Sequence, residues 1–205
     1  MINVLLLYGV PIGGTELPVI LFNNGSTGIN YAFLDGGKDV IYTENSTKGY
    51  GITSKVKSLD INMHNKYMVW TSAEYPNPIY LAEFRSKLNT SDGRQRFQVF
   101  KRSLVLDESP NRHIAIDWIH DLIFYVHSTN IKVIHVNNPE VGYEVTNDPY
   151  TNTANTGQIA VNPFDGFIVW TEYVSNIGWA VIRKCNEDGT DHQILVYKDI
   201  RLQFV

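Results

Sequence analysis

The chain has 205 residues and a mass of 23.3 kDa, long enough for a domain with a sizeable core. Hydrophobic residues make up 43% and aromatics 12%, which excludes a disordered chain, and 12 Tyr with recurrent Val and Ile suit pleated sheet. A net charge of −4 without any basic run argues against nucleic acid as a partner, and no apolar run reaches the roughly 18 residues of a membrane span.

In chain order, Ile2 to Val10 is apolar and short, with Gly13, Gly14 and Thr15 after it. It reads either as a degenerate secretory signal lacking a basic start or as a first strand, so residues 1–14 are set apart as an apolar N-terminal segment. Beyond it the chain repeats itself. Four apolar-aromatic strands look alike: Val19–Phe22, Tyr67–Trp70, Leu122–Tyr125 and Phe167–Trp170. Their closing aromatics, Phe22, Trp70, Tyr125 and Trp170, are 48, 55 and 45 residues apart, close to the roughly 40–50 residues of a four-stranded propeller blade.

Three of the four are preceded by a strand of small, aliphatic and short polar residues: Ser58-Leu59-Asp60, Ala115-Ile116-Asp117 and Ala160-Val161-Asn162. A small residue lets inner strands crowd, and Asp or Asn opens a turn by bonding its own backbone. His64-Asn65, His120-Asp121 and Asp165-Gly166 then fill the hairpin loops. Two more strands follow each aromatic one, in the fourth unit around the turn Glu187-Asp188-Gly189-Thr190. In the first unit, Gly28–Leu34 and Asp39–Thr43 flank the turn Asp35-Gly36-Gly37. No stretch shows the 3.6-residue period of an amphipathic helix. The expectation is all-β, in units of about 15–50, 51–108, 109–154 and 155–205.

At these residues the sequence resembles the YWTD, or class B, repeats of the low-density lipoprotein receptor family. Gly157 to Glu172 is similar to that family's inner strand, turn and YWTD strand in succession, and Ile114 to His120 is similar to the same inner strand one repeat earlier. The likeness spans Leu17 to Leu202 and weakens towards the Phe22 unit. It implies an incomplete β-propeller over residues 15–205, with about four of the family's six blades, each a four-stranded antiparallel sheet. The ring then does not close within this sequence: the chain is a fragment, a truncated gene model, or completes its ring from another chain.

YWTD itself is nowhere intact. It stands as Val69-Trp70-Thr71-Ser72, Phe124-Tyr125-Val126-His127 and Val169-Trp170-Thr171-Glu172. The family's Thr and Asp are expected to tie blades together, so Val126 and His127 leave the third unit in need of another arrangement.

The resemblance implies a non-catalytic extracellular module of an endocytic receptor, lying beside EGF-like modules and contributing to lipoprotein or other ligand binding and release. The alternative is a propeller of a matrix or signalling protein, nidogen-like or Wnt co-receptor-like, that docks a protein partner. Either way the partners are a protein ligand or neighbouring receptor modules, with no membrane insertion of this segment. The position implied for a contacting aromatic is Tyr173, whose neighbour in the next loop would be Leu202. Asp60, Asp117 and Asn162 are structural repeat positions, like the four closing aromatics.

Candidate chemistry is sparse. Cys185 is the only cysteine, so no intramolecular disulfide forms, and a core role suits it best. Six histidines are dispersed without zinc-ligand spacing, and Asn186 to Asp191 matches a calcium loop only in part, so no metal and no cofactor is expected. No nucleophile elbow, phosphate-cradling loop or His-Glu-x-x-His is present, and carboxylates at repeat positions have structural roles; an enzyme is not expected. Asn24, Asn45 and Asn89 head glycosylation sequons in loops, usable if the chain is secreted.

Overall fold

A computed structural model describes residues 3–7, 19–23, 29–33, 38–40, 42–43, 56–62, 64–72, 78–88, 95–106, 113–146, 154–174 and 179–199. Among them every regular element is a strand. The chain divides into two compact units, Met1–Asp107 and Glu108–Val205.

The first unit holds two sheets. β1 (Asn3–Leu7), β2 (Val19–Asn23), β3 (Ile29–Phe33) and β4 (Lys38–Val40) form an antiparallel sheet in sequence order. β1 lies within the apolar N-terminal segment, and its Leu5 pairs with Leu21 of β2. The second sheet contains β6 (Val56–Asn62), β7 (Tyr67–Ser72), β8 (Ile79–Leu88) and β9 (Gln95–Leu106). A two-residue strand, β5 (Tyr42–Thr43), adds to it in parallel with β9, so the expected strand Asp39–Thr43 is divided between two sheets. Met68, Val69, Trp70, Ile79 and Ala82 are buried, and Trp70 stacks on Tyr80 at 5.6 Å between ring centroids.

The second unit is two four-stranded antiparallel meanders. One is β10 (Ile114–Asp117), β11 (Leu122–His127), β12 (Asn130–His135) and β13 (Asn138–Glu144). The other is β14 (Ala154–Asn162), β15 (Phe167–Val174), β16 (Trp179–Asn186) and β17 (Gln193–Asp199). Alternation along each strand sends one set of side chains to each face, and the sheets join through one of these sets. Ala115, Phe124, Val126, Ile131, Val133 and Val145 meet Ile159, Ile168, Trp170 and Cys185 in a single buried cluster. Burial pushes the Cys185 thiol up to about 12, so it stays protonated and inert.

Register corrects one sequence expectation. The strand ends before the three hairpin turns are Asn62, Asp117 and Asn162, paired with Tyr67, Leu122 and Phe167. In the second repeat the counterpart of Asp117 is therefore Asn62, two residues after Asp60. Asn62 Oδ1 accepts Asn65 N–H at 2.9 Å, Asp117 Oδ1 accepts Ile119 and His120 N–H, and Asn162 Oδ1 accepts Phe164 and Asp165 N–H. Asp60 Oδ1 accepts the adjacent Ile61 N–H at 2.8 Å, two residues before the strand end. All three turns close on a residue of positive φ: Lys66 at 58°, Asp121 at 55° and Gly166 at 64°.

The expected Thr and acid ties run within sheets. Thr171 Oγ1 accepts Gln158 N–H at 3.0 Å and Thr71 Oγ1 accepts Ser58 N–H at 3.1 Å, each beside a register shift in the inner strand. Glu172 is buried, accepts Trp170 Nε1–H at 2.7 Å and pairs with Arg183 Nε at 2.8 Å. In the third repeat, Val126 replaces the hydroxyl with hydrocarbon and joins the inter-sheet cluster, while Thr146 Oγ1 accepts Ile131 N–H. One side-chain bond that does cross between sheets comes from Thr156 Oγ1, which donates to Thr129 C=O at 2.6 Å.

The outward face of the last sheet repeats the pattern of the joined one. Ala160 stands where Ala115 does, and Thr171, Ile182 and Val196 form the same cross-strand row as Val126, Ile131 and Val145. In the first set these residues are exposed, Ile182 by 37% and Val196 by 51%; in the second they are buried.

Truncating a side chain inside the joined face should be costly. Phe124→Ala is expected to lower stability by about 3–5 kcal/mol in urea denaturation. Phe164→Ala, at a position 77% exposed, should cost less than about 1 kcal/mol.

Candidate functional site

Three turns of the second unit place an exposed aromatic pair and an ionisable cluster close together. They are residues 118–121 between β10 and β11, 163–166 between β14 and β15, and the connection after Asn186 between β16 and β17. Backbone bonds fix each within its own sheet: Glu187 N–H donates to Gly166 C=O at 3.0 Å, and Val136 N–H, after β12, donates to Asp121 C=O at 2.9 Å. Gly189 has φ +82°, and a Cβ there would lie 2.3 Å from Val145 C=O. Glycine is what allows the β16–β17 turn to press on the end of the neighbouring sheet.

Two features result. The first is apolar. Trp118 and Phe164, from turns of different sheets, meet edge to face at 5.2 Å and 77°. Both are exposed, by 37% and 77%, and Ile119 beside them by 43%. Large apolar side chains grouped on turns mark contact surface more often than scattered ones do.

The second is ionisable. Asp117 is fully buried, and its Oδ2 lies 2.5 Å from His120 Nδ1. Glu187 reaches the same place from the β16–β17 turn, so that one ligand atom from each of the three lies within 4.8 Å of the others. Glu187 Oε1 is shut off from solvent without a hydrogen-bond partner. Burial, then the charge of Asp117 and a hydrogen bond to it, push the Glu187 carboxyl up to about 7. The hydrogen bond to Asp117 and its charge likewise raise His120.

Asp188 and Asp191 are committed elsewhere. Asp188 Oδ1 accepts Thr190 N–H and Oγ1–H, and Asp191 Oδ2 accepts Gln193 Nε2–H. The Asn186–Asp191 segment is a self-bonded turn whose carboxylates do not converge, as a calcium loop would require.

Of the residues singled out in the sequence, Asp117 belongs to this end of the unit, and Asn162 builds one of its turns. Tyr173 does not: it is 42% exposed, but six residues along β15 from Phe167, at the far end of the sheet. Trp70, Tyr125 and Trp170 are buried packing residues; Phe22 lies in β2. Asn24, Asn45, Asn89 and Leu202 lie outside the described residues. Trp118, Ile119, Phe164, His120 and Glu187 were not selected as a site from sequence. The available signal was that bulky apolar residues follow Asp117 and Asn162 in turns, where polar ones are usual.

The ionisable cluster gives stability a pH dependence. Between about pH 7 and 4.5, folded Glu187 holds a proton that the unfolded chain releases, so folding gains as pH falls through that window. The raised His120 acts in the same sense: its contribution is full below 6.5 and is lost as pH rises through the folded value. With a chelator present, the wild-type chain should gain more stability between pH 8 and pH 5 than Glu187→Gln does. Equal slopes in denaturation curves would refute the assignment.

No family model and no curated protein sequence matches this chain. Solved structures do. The chain is similar to one in a crystal structure of a nidogen/laminin complex, with 16% identity and a TM-score of 0.61 over 97% of this chain and 63% of that one. It is also similar to a TolB protein from Agrobacterium tumefaciens, with 12% identity and a TM-score of 0.54 over 94% of this chain and 74% of that one. The chain thus spans less than two thirds of the length of the nidogen/laminin match. At such identities the likeness establishes architecture: all-β, with the antiparallel sheets of part of a β-propeller.

Proposed function

We propose that this chain is a non-catalytic, protein-docking segment of an extracellular β-propeller, working in the ectodomain of a receptor similar to the low-density lipoprotein receptor. The observation that carries the docking role is the exposed Trp118–Phe164 pair with Ile119 beside it, held on turns that backbone hydrogen bonds fix in place. Rigid aromatic anchors on a fixed scaffold give contact area at small entropic cost. The receptor assignment draws on the repeat resemblance from Gly157 to Glu172. A second reading, a matrix propeller, is favoured by the likeness to a chain from a nidogen/laminin complex.

The immobilised chain should retain a set of proteins from extracellular extract at pH 7.4 that Trp118→Ala/Phe164→Ala does not, with circular dichroism unchanged between the two. Retention independent of both substitutions would eliminate this docking surface. Release on shifting to pH 5.5 supports the receptor reading, and retention at that pH supports the matrix reading.

A further inference from the structure

We propose that Asp117, His120 and Glu187 form a binding site for a divalent transition-metal ion that bridges the two sheets of the second unit. One imidazole nitrogen and two carboxylate oxygens make a mixed donor set of the kind that zinc and its neighbours accept, and the three ligand atoms lie within 4.8 Å of one another. Asp117 is fixed for the role: it is fully buried, and Oδ1 is anchored by the Ile119 and His120 amides, leaving Oδ2 facing His120 Nδ1. His120 is 58% exposed in its side chain, so an ion can enter from solvent and the ring can open slightly to admit it. A separate observation points to a missing ligand partner: Glu187 Oε1 is closed off from water and bonds to nothing.

The charge balance also favours an ion. Two carboxyls brought together without a cation repel unless a proton lies between them; a divalent ion replaces that proton and neutralises both. Zinc-ligand spacing is absent from the sequence because the ligands come from different sheets: Asp117 and His120 from the turn after β10, Glu187 from the turn after β16. Binding would then join the sheets and stabilise their packing.

Zinc alone is the probe, added to the full chain after chelator treatment and followed by isothermal titration calorimetry and thermal melting. The expected result is one ion per chain, proton release on binding, and a Tm rise of about 3 °C or more at saturation. Glu187→Gln, nearly isosteric, and His120→Ala should each weaken binding by about tenfold or more. His64→Ala, at an exposed position in the first unit, should leave it unchanged. Cobalt should give visible d–d absorption in the wild type that Glu187→Gln lacks. Lack of saturable zinc binding at millimolar concentration, or binding equally insensitive to Glu187→Gln and His120→Ala, overturns the proposal. A loss with His64→Ala as large as with His120→Ala overturns it too.

Discussion

A four-stranded antiparallel sheet is too small to bury its own hydrocarbon, and this limit governs the second unit. Each meander alternates side chains between two faces, so half of every strand needs a neighbouring sheet. The two meanders meet this need through one cluster, in which Phe124, Val126, Ile131 and Val133 face Ile168, Trp170 and Cys185. A buried carboxylate beside that cluster is bound on both oxygens: Glu172 takes Trp170 Nε1–H and Arg183 Nε–H from its own sheet. A buried carboxylate without such partners would cost several kcal/mol, of order 3–5, and would undermine the packing beside it.

The turns inherit their positions from that packing. Once the sheets are stacked, the hairpins ending at Asp121 and Gly166 and the turn at Gly189 come together, with Glu187 N–H of the last turn bonded to Gly166 C=O and Trp118 against Phe164. Short polar residues at the strand ends then fix the turn backbone, with Asn62, Asp117 and Asn162 each accepting amides from the residues that follow. Trp118 and Phe164 stand beside these anchored backbones, so the aromatic pair is placed by the sheets and held by the caps. Glu187 reaches Asp117 for the same reason.

Much of the fold was legible in the sequence because a repeat announces itself by spacing. Apolar strands closing on Trp70, Tyr125 and Trp170, with hairpin residues before them, located the sheets. The frame of the second repeat was misread at Asp60, since a small-aliphatic-acid triplet occurs two residues ahead of the one that caps the turn. Only pairing decides between them: Asn62 opposes Tyr67 as Asp117 opposes Leu122. The division of Asp39–Thr43 was equally hidden, because Tyr42 and Thr43 take a partner in β9, more than fifty residues away. The candidate site was least legible. Seventy residues separate Asp117 from Glu187, and nothing local in either segment records that stacking brings them together.

The outward face of the last sheet, with Ala160, Thr171, Ile182 and Val196 in the places of Ala115, Val126, Ile131 and Val145, has an evolutionary consequence. When each layer offers its successor the same steric terms that it received, no junction is tailored to a unique neighbour. Duplicating or losing one entire repeat then leaves every surviving junction chemically familiar, whereas a single-residue insertion within a strand reverses its inside and outside. Selection on such a gene can therefore change the number of layers more readily than the length of any one strand.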